Sequence, residues 1–242
     1  MVRYESMSFT VSSNKSDFKY DQYPPITLDE DGTHELALLN IDMYHSVPNI
    51  DDSKNKFVYY YNNIKYEIEF PTGAYEIKAI NDYIQEQLVK HGNEAAFSIK
   101  ANPITLKCII RINKSKILIH FKHDKSLKNI LGFGEDIIKG IGEHEGEQIV
   151  NILSVNTILV NCNIIEGSYI NGVQKPVLYS FFPDVPPGYK INEKPSTAVY
   201  LPVTIPRINS IHVWLTDQNH RPLNVREEEI TIRLHLKSTY HV

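Results

Sequence analysis

Apolar positions recur along most of the chain at the spacing of half-buried strands. Glu35-Leu36-Ala37-Leu38-Leu39-Asn40-Ile41-Asp42-Met43 predicts a buried strand, ended by Ser46-Val47-Pro48-Asn49. Phe57-Val58-Tyr59-Tyr60-Tyr61 and Ile64-Lys65-Tyr66-Glu67-Ile68-Glu69-Phe70 flank Asn62-Asn63, the signature of a tight hairpin. In the second of these, Ile64, Tyr66, Ile68 and Phe70 alternate with Lys65, Glu67 and Glu69, so one face is buried and one is wet. Strands follow at 97–101, 106–113 and 116–121, then at 151–165, 177–182 and 198–204. A closing hairpin is expected between 210–216 and 229–237, joined by Asp217-Gln218-Asn219-His220-Arg221-Pro222.

The spacing changes once. Ile77, Ile80, Ile84 and Leu88 fall on one helical face, with Lys78, Asp82, Gln85, Glu86 and Lys90 opposite. Thr72 is the expected cap, Glu76 lies in the first turn, and Gly92 follows the end. A short second helix is expected from Ser126 through Leu131, ended by Gly132. Residues 134–147 carry Glu135, Asp136, Glu143, Glu145 and Glu147 and predict a mobile surface loop. About nine or ten strands at irregular spacing, with long connections, predict an all-β, single jelly-roll β-sandwich of two antiparallel sheets, with one inserted α-helix and a short second one.

Residues 1–30 stand apart. They are polar with scattered aromatics, Phe9, Phe18, Tyr20 and Tyr23, and Pro24-Pro25 argues against regular structure. The expected organisation is an extended N-terminal arm over 1–30 and one jelly-roll domain over 31–242. The length of 242 residues suits that division.

Composition sharpens the fold and narrows the function. The chain has 31 Ile and 16 Val against 17 Leu, and 15 Tyr, a bias toward pleated surfaces. A net charge of −4 argues against a dedicated nucleic-acid binder. Cys108 and Cys162 sit in apolar runs and are expected to be buried strand residues, too few for a disulfide scaffold. No apolar signal region opens the sequence and no apolar run reaches the length of a membrane span, which predicts a soluble protein made in a reducing compartment.

Candidate chemistry is sparse. His120 and His123 form the closest histidine pair, and with His120 ending a strand the two are expected on opposite faces. There is no His-x-His and no His-x-Asp. Asp29-Glu30-Asp31-Gly32 and Glu143-His144-Glu145 are oxygen-rich without calcium-loop spacing and read as solvated turns. There is no Gly-x-Ser-x-Gly elbow and no phosphate loop, and Gly132-Phe133-Gly134 follows a helix. No catalytic, metal-binding or cofactor-binding residue is assigned, and no enzyme activity is expected. Tyr59-Tyr60-Tyr61 offers alternate rings, so a carbohydrate- or ligand-binding module resting on Tyr59 and Tyr61 is the second functional reading.

An ordered set of segments resembles a known family. It comprises 38–50, Phe70-Pro71-Thr72-Gly73-Ala74-Tyr75-Glu76, Leu131-Gly132-Phe133 and Val155-Asn156 through Cys162-Asn163-Ile164. It continues with Gly167-Ser168-Tyr169, Asn171-Gly172, Pro187-Gly188-Tyr189-Lys190, Tyr200-Leu201-Pro202-Val203 and 230–236. Together these resemble the minor capsid, or penton, proteins of Polinton (Maverick) elements, the virus-like transposons of animal genomes. The resemblance implies a single jelly roll with no catalytic residues and no cofactor. It implies a structural vertex protein, five copies at each icosahedral fivefold vertex, held by double jelly-roll major capsid subunits. It places the protein in the virion capsid after synthesis in the host cytoplasm, with no nucleic-acid or membrane partner.

Overall fold

Strands dominate the chain, as its β-branched composition requires. The computed structural model describes residues 2–153 and 155–241. The chain opens with β1 (Val2–Ser13), β2 (Asp17–Thr27) and β3 (Gly32–Tyr44). Then come β4 (Lys56–Tyr61), β5 (Ile64–Glu69), helix α1 (Ile77–Lys90), β6 (Phe97–Ala101), β7 (Lys107–Ile112), β8 (Ile117–His120), helix α2 (Lys128–Leu131), β9 (Ile137–Lys139) and β10 (Gly142–Ile149). The last third holds β11 (Ile158–Cys162), β12 (Ser168–Ile170), β13 (Val173–Lys175), β14 (Val177–Phe181), β15 (Lys190–Glu193), β16 (Leu201–Pro202), β17 (Arg207–Thr216) and β18 (Ile230–His241).

The chain divides into two compact units, one of Met1–Val47 with Val155–Val242, the other of Pro48–Ser154. This differs from the arm at 1–30 and single domain at 31–242 that the sequence suggests. The reason is pairing. β1 runs along β18 from Val2↔His241 to Ser13↔Ile230, and β2 runs along β17, so most of residues 2–27 are extended but docked in sheets of the first unit.

The first unit is a jelly-roll β-sandwich of two antiparallel sheets. One has the order β1-β18-β3-β15, with β16 also on β3; the other has the order β14-β11-β17-β2. The expected closing hairpin does not form: β17 and β18 lie in different sheets. Ile208, Ile211, Val213 and Leu215 of β17 share one buried cluster with Ile230, Ile232, Leu234 and Leu236 of β18. Two strands with one apolar face each bury more by stacking across a sandwich than by lying side by side. Pro24 and Pro25 are tolerated because β2 is an edge, and its register on β17 shifts between Ile208 and Ser210.

The second unit holds sheets β5-β4-β8-β9 and β10-β7-β6, with α1 against β6. Asn62 and Asn63 adopt φ of 51° and 66°, which turns β4 into β5 as the sequence predicts. Ile64, next to that turn, is exposed despite its alternation. Ile77, Ile80, Ile84 and Leu88 of α1 are buried as expected, but the helix starts later than Thr72. Gly73 bridges Ile50, and the Asn49 amide holds both the Tyr75 N–H (2.9 Å) and the Tyr75 carbonyl (2.8 Å), which keeps 73–75 extended. Gly132 caps α2 at φ 75°, where an added Cβ would collide with the Gln148 carbonyl.

The expected loop 134–147 contains β9 and β10 instead. Its acids are paired: Glu143 with Lys100 at 2.8 Å, and Glu145 with Thr105 at 2.7 Å and Asn102 at 3.0 Å. Those bonds hold both carboxyl groups below the usual range and join β10 to β6 and to the segment between β6 and β7. The expected strand 151–165 shortens to β11, and β12, β13 and β15 are strands that periodicity missed. Among the described residues, no helix is long and apolar enough to cross a membrane.

Candidate functional site

The residues singled out by type take structural places. Cys108 in β7 and Cys162 in β11 are free and buried. Burial pushes their thiols up to about 12 and about 11, far from a nucleophilic thiolate. In Asp29-Glu30-Asp31-Gly32 the Gly32 N–H closes a turn on the Asp29 carbonyl at 3.1 Å. That carbonyl also accepts from His34 Nε2 at 2.9 Å, so the acids frame a turn. His144 Nε2 donates to the Gly140 carbonyl at 2.9 Å. Among the described residues no three His, Cys, Asp or Glu side chains group as metal ligands.

His120 and His123 correct the sequence reading. They do not point to opposite faces: their rings stack with centroids 6.4 Å apart. β8 ends at His120, and the turn that follows swings His123 back beside it. His123 Nδ1 donates to the Asp124 carbonyl at 2.9 Å.

The tyrosine reading changes sides. Tyr59 is fully buried, its hydroxyl held by Asn93 at 3.0 Å and by His91 at 2.9 Å, and its ring stacked on Tyr66 at 5.0 Å. Burial raises the pKa of this phenol, making it a weaker acid, and outweighs the opposing Asn93 bond. Tyr61 packs against the same core. The Tyr59 ring offers no sugar-stacking face, and the Tyr61 ring is half-buried. Tyr60 points the other way, because successive strand residues alternate.

Tyr60 belongs to a row across the sheet. Register places Lys65 of β5, Tyr60 of β4, Leu118 of β8 and Lys139 of β9 side by side. The next row is Glu67, Val58, His120 and Ile137. Four strands at about 4.8 Å spacing make each row roughly 14 Å long. Tyr60 meets His120 edge-to-face at 6.1 Å. Above them opens a cleft of about 890 Å³ lined by Tyr60, Lys116, Leu118, His120, Ile137 and Lys139, with Asn63 and Gly140 at its margin and no Asp or Glu in its lining. Glu67, on the same face, is taken up by Lys56 and by Lys65 at 3.4 Å, and its carboxyl is held low by the Lys56 bond. No ion pair among the described residues engages Lys116 or Lys139.

The other open surface is backbone. β1 ends its sheet, and its register on β18 is continuous over twelve pairs. It contains no proline, whereas the edge strand β2 contains two. Its outer half is exposed, including Val2, Tyr4 and Met7.

No protein-family model matches the sequence, and no curated protein matches it. Among solved structures, the crystal structure of the selenomethionine-labelled mavirus penton protein resembles it with a TM-score of 0.53 at 15% identity. The match covers 98% of this chain and 99% of that one. At that identity the likeness is one of fold, and it extends over both units of the chain.

Proposed function

We propose that the protein is a structural minor capsid protein of a virus-like element of the Polinton/Maverick kind, acting as a penton at icosahedral fivefold vertices. The observation that carries the reading is the likeness to the mavirus penton protein, which runs almost end to end in both chains. The ordered sequence segments support it independently. So does the chemistry: the cysteines are buried and the acids and histidines singled out by type serve turns and strand pairs.

In this reading the partners are four further copies of the chain and a double jelly-roll major capsid protein, and the protein resides in the virion capsid. A ring of five closes by heterologous contacts, so one surface of each copy meets a different surface of the next. The β1 edge suits such a contact. A strand of this length offers a row of unpaired backbone groups, and the usual devices that discourage pairing are few along it. Residues 1–30 thus serve assembly as part of a sheet that a neighbour extends.

Light scattering on the purified chain, alone and co-expressed with the major capsid protein of the same element, tests this. The expected result is a fivefold mass, or fivefold density at the vertices of assembled particles by electron microscopy. A chain that stays monomeric with the major protein present, and leaves every vertex empty, overturns it.

A further inference from the structure

We propose that the cleft on the outer face of the β5-β4-β8-β9 sheet is a binding site for an anionic saccharide. The site is separate from the assembly function and stands or falls without it.

Three observations meet there. The floor is aromatic and aliphatic, with Tyr60 beside Leu118 in one row and Ile137 in the next. Ile137 keeps 43% of its surface exposed although it sits in a strand, so this part of the face is uncovered. The formal charges are of one sign: Lys116 and Lys139 line the cleft beside the His120 ring, and no carboxylate does. The two carboxylates nearby are already held, Glu67 by two lysines and Asp136, which feels His120, by Lys128 at 2.7 Å.

A ligand that fits has apolar faces and fixed negative charge. A sugar ring presents C–H faces to a Tyr side chain, which offers a flat apolar body and a polar tip. Its carboxylate or sulfate would meet unpaired ammonium groups, and cationic walls with no acid raise the local concentration of anions. The row from Lys65 to Lys139 spans roughly 14 Å, enough for more than one ring. An acidic peptide is the weaker fit. Extended peptides bind by main-chain bonds to a sheet edge, and the edge beside this cleft, β9, has only three residues.

The test uses the intact chain. Binding of a heparin-derived sulfated tetrasaccharide and of a sialylated trisaccharide is measured by calorimetry, with their neutral counterparts and a poly-glutamate peptide alongside. Wild-type protein is expected to bind at least one anionic saccharide and neither neutral one. Tyr60→Ala and Lys139→Glu should each weaken binding by about tenfold or more. Lys19→Glu, the same charge change on exposed β2 of the other unit, should leave it unchanged. Lys139 is exposed, so its variant reads the site even if removal of the half-buried Tyr60 ring disturbs the fold. No binding of either anionic saccharide overturns the proposal. So does equal weakening by Lys19→Glu, which would make the attraction non-specific, or tighter binding of the peptide.

Discussion

The two units solve the packing problem differently. The first closes two sheets over a cluster of Ile, Leu and Val, with Phe18 and Phe181 the only buried Phe, Tyr or Trp rings in that cluster among the described residues. The second, shorter in sequence, buries Phe57, Tyr59, Phe70, Phe97, Phe121 and Phe133. There Phe57 stacks on Phe97 at 5.6 Å and meets Phe121 edge-on at 5.8 Å, while Phe121 stacks on Phe133 at 5.5 Å. Broad facing sheets fill their gap with branched aliphatics. Smaller sheets with one long and one short helix enclose less surface, and rings supply more burial per residue. Sequence distance differs as well. Ser12 bonds Thr231 at 2.8 Å across the first unit, whereas the second is one continuous segment. Its contacts close shorter loops and cost less chain entropy.

That contrast can be broken by substitution. Phe57→Ala has the largest expected effect, about 3–5 kcal/mol, because it removes a fully buried ring that two others pack on. Hydrogen exchange should show lost protection in β4, β7 and β8 while the β3–β18 ladder keeps its own. Equal loss in both would mean that the two clusters do not behave as separate cores.

Asn49→Ala comes next, at about 2 kcal/mol. The Asn49 amide donates to the Tyr75 and Ile152 carbonyls at 2.8 and 2.9 Å and accepts from the Tyr75 N–H at 2.9 Å, tying both ends of the second unit's segment. Denaturant melts should show the drop, and wild-type stability in this variant would mean that water replaces all three bonds.

Asp217→Asn sharpens the other side, at about 1–2 kcal/mol. Burial pushes the Asp217 carboxyl up, but the Arg221 N–H (2.9 Å), the Arg221 guanidinium (2.8 Å) and the Asn219 N–H (2.8 Å) outweigh it and hold it below the ordinary value. A lowered folded-state value contributes stability above the unfolded carboxyl value. That contribution is lost as pH falls through the folded one. Thermal melts of wild type should therefore fall at acid pH beneath that range, and the variant should show a flatter acid limb. Parallel limbs would remove Asp217 from the account. The smallest effect belongs to Lys78→Ala, which breaks a solvated pair with Asp82 at 2.5 Å on α1 and should leave the melting midpoint unchanged within error.

Much of this architecture is legible residue by residue. Asn62-Asn63 forecasts its turn because two left-handed residues suit few side chains, and Ile77, Ile80, Ile84 and Leu88 forecast the buried helical face. β10 was hidden because its glutamates look like a solvated loop until Lys100, Asn102 and Thr105 are placed opposite. The candidate cleft was half visible. The Tyr run drew attention to β4, but the choice between Tyr59 and Tyr60 depends on which sheet face is covered, and local alternation is the same for both.

The sequence by itself determined the strand-rich class, the single long helix, the tight turns and the burial of both cysteines. These follow from propensity, spacing and side-chain chemistry over a few residues. Only the tertiary structure decided that β17 and β18 face each other from different sheets, that β1 and β2 pair with strands near the other end, and that Pro48–Ser154 packs as its own unit. Strand pairing is bought with backbone hydrogen bonds that every residue except proline can make, so the chain carries no local mark of its partner, and the choice falls to the burial of whole faces.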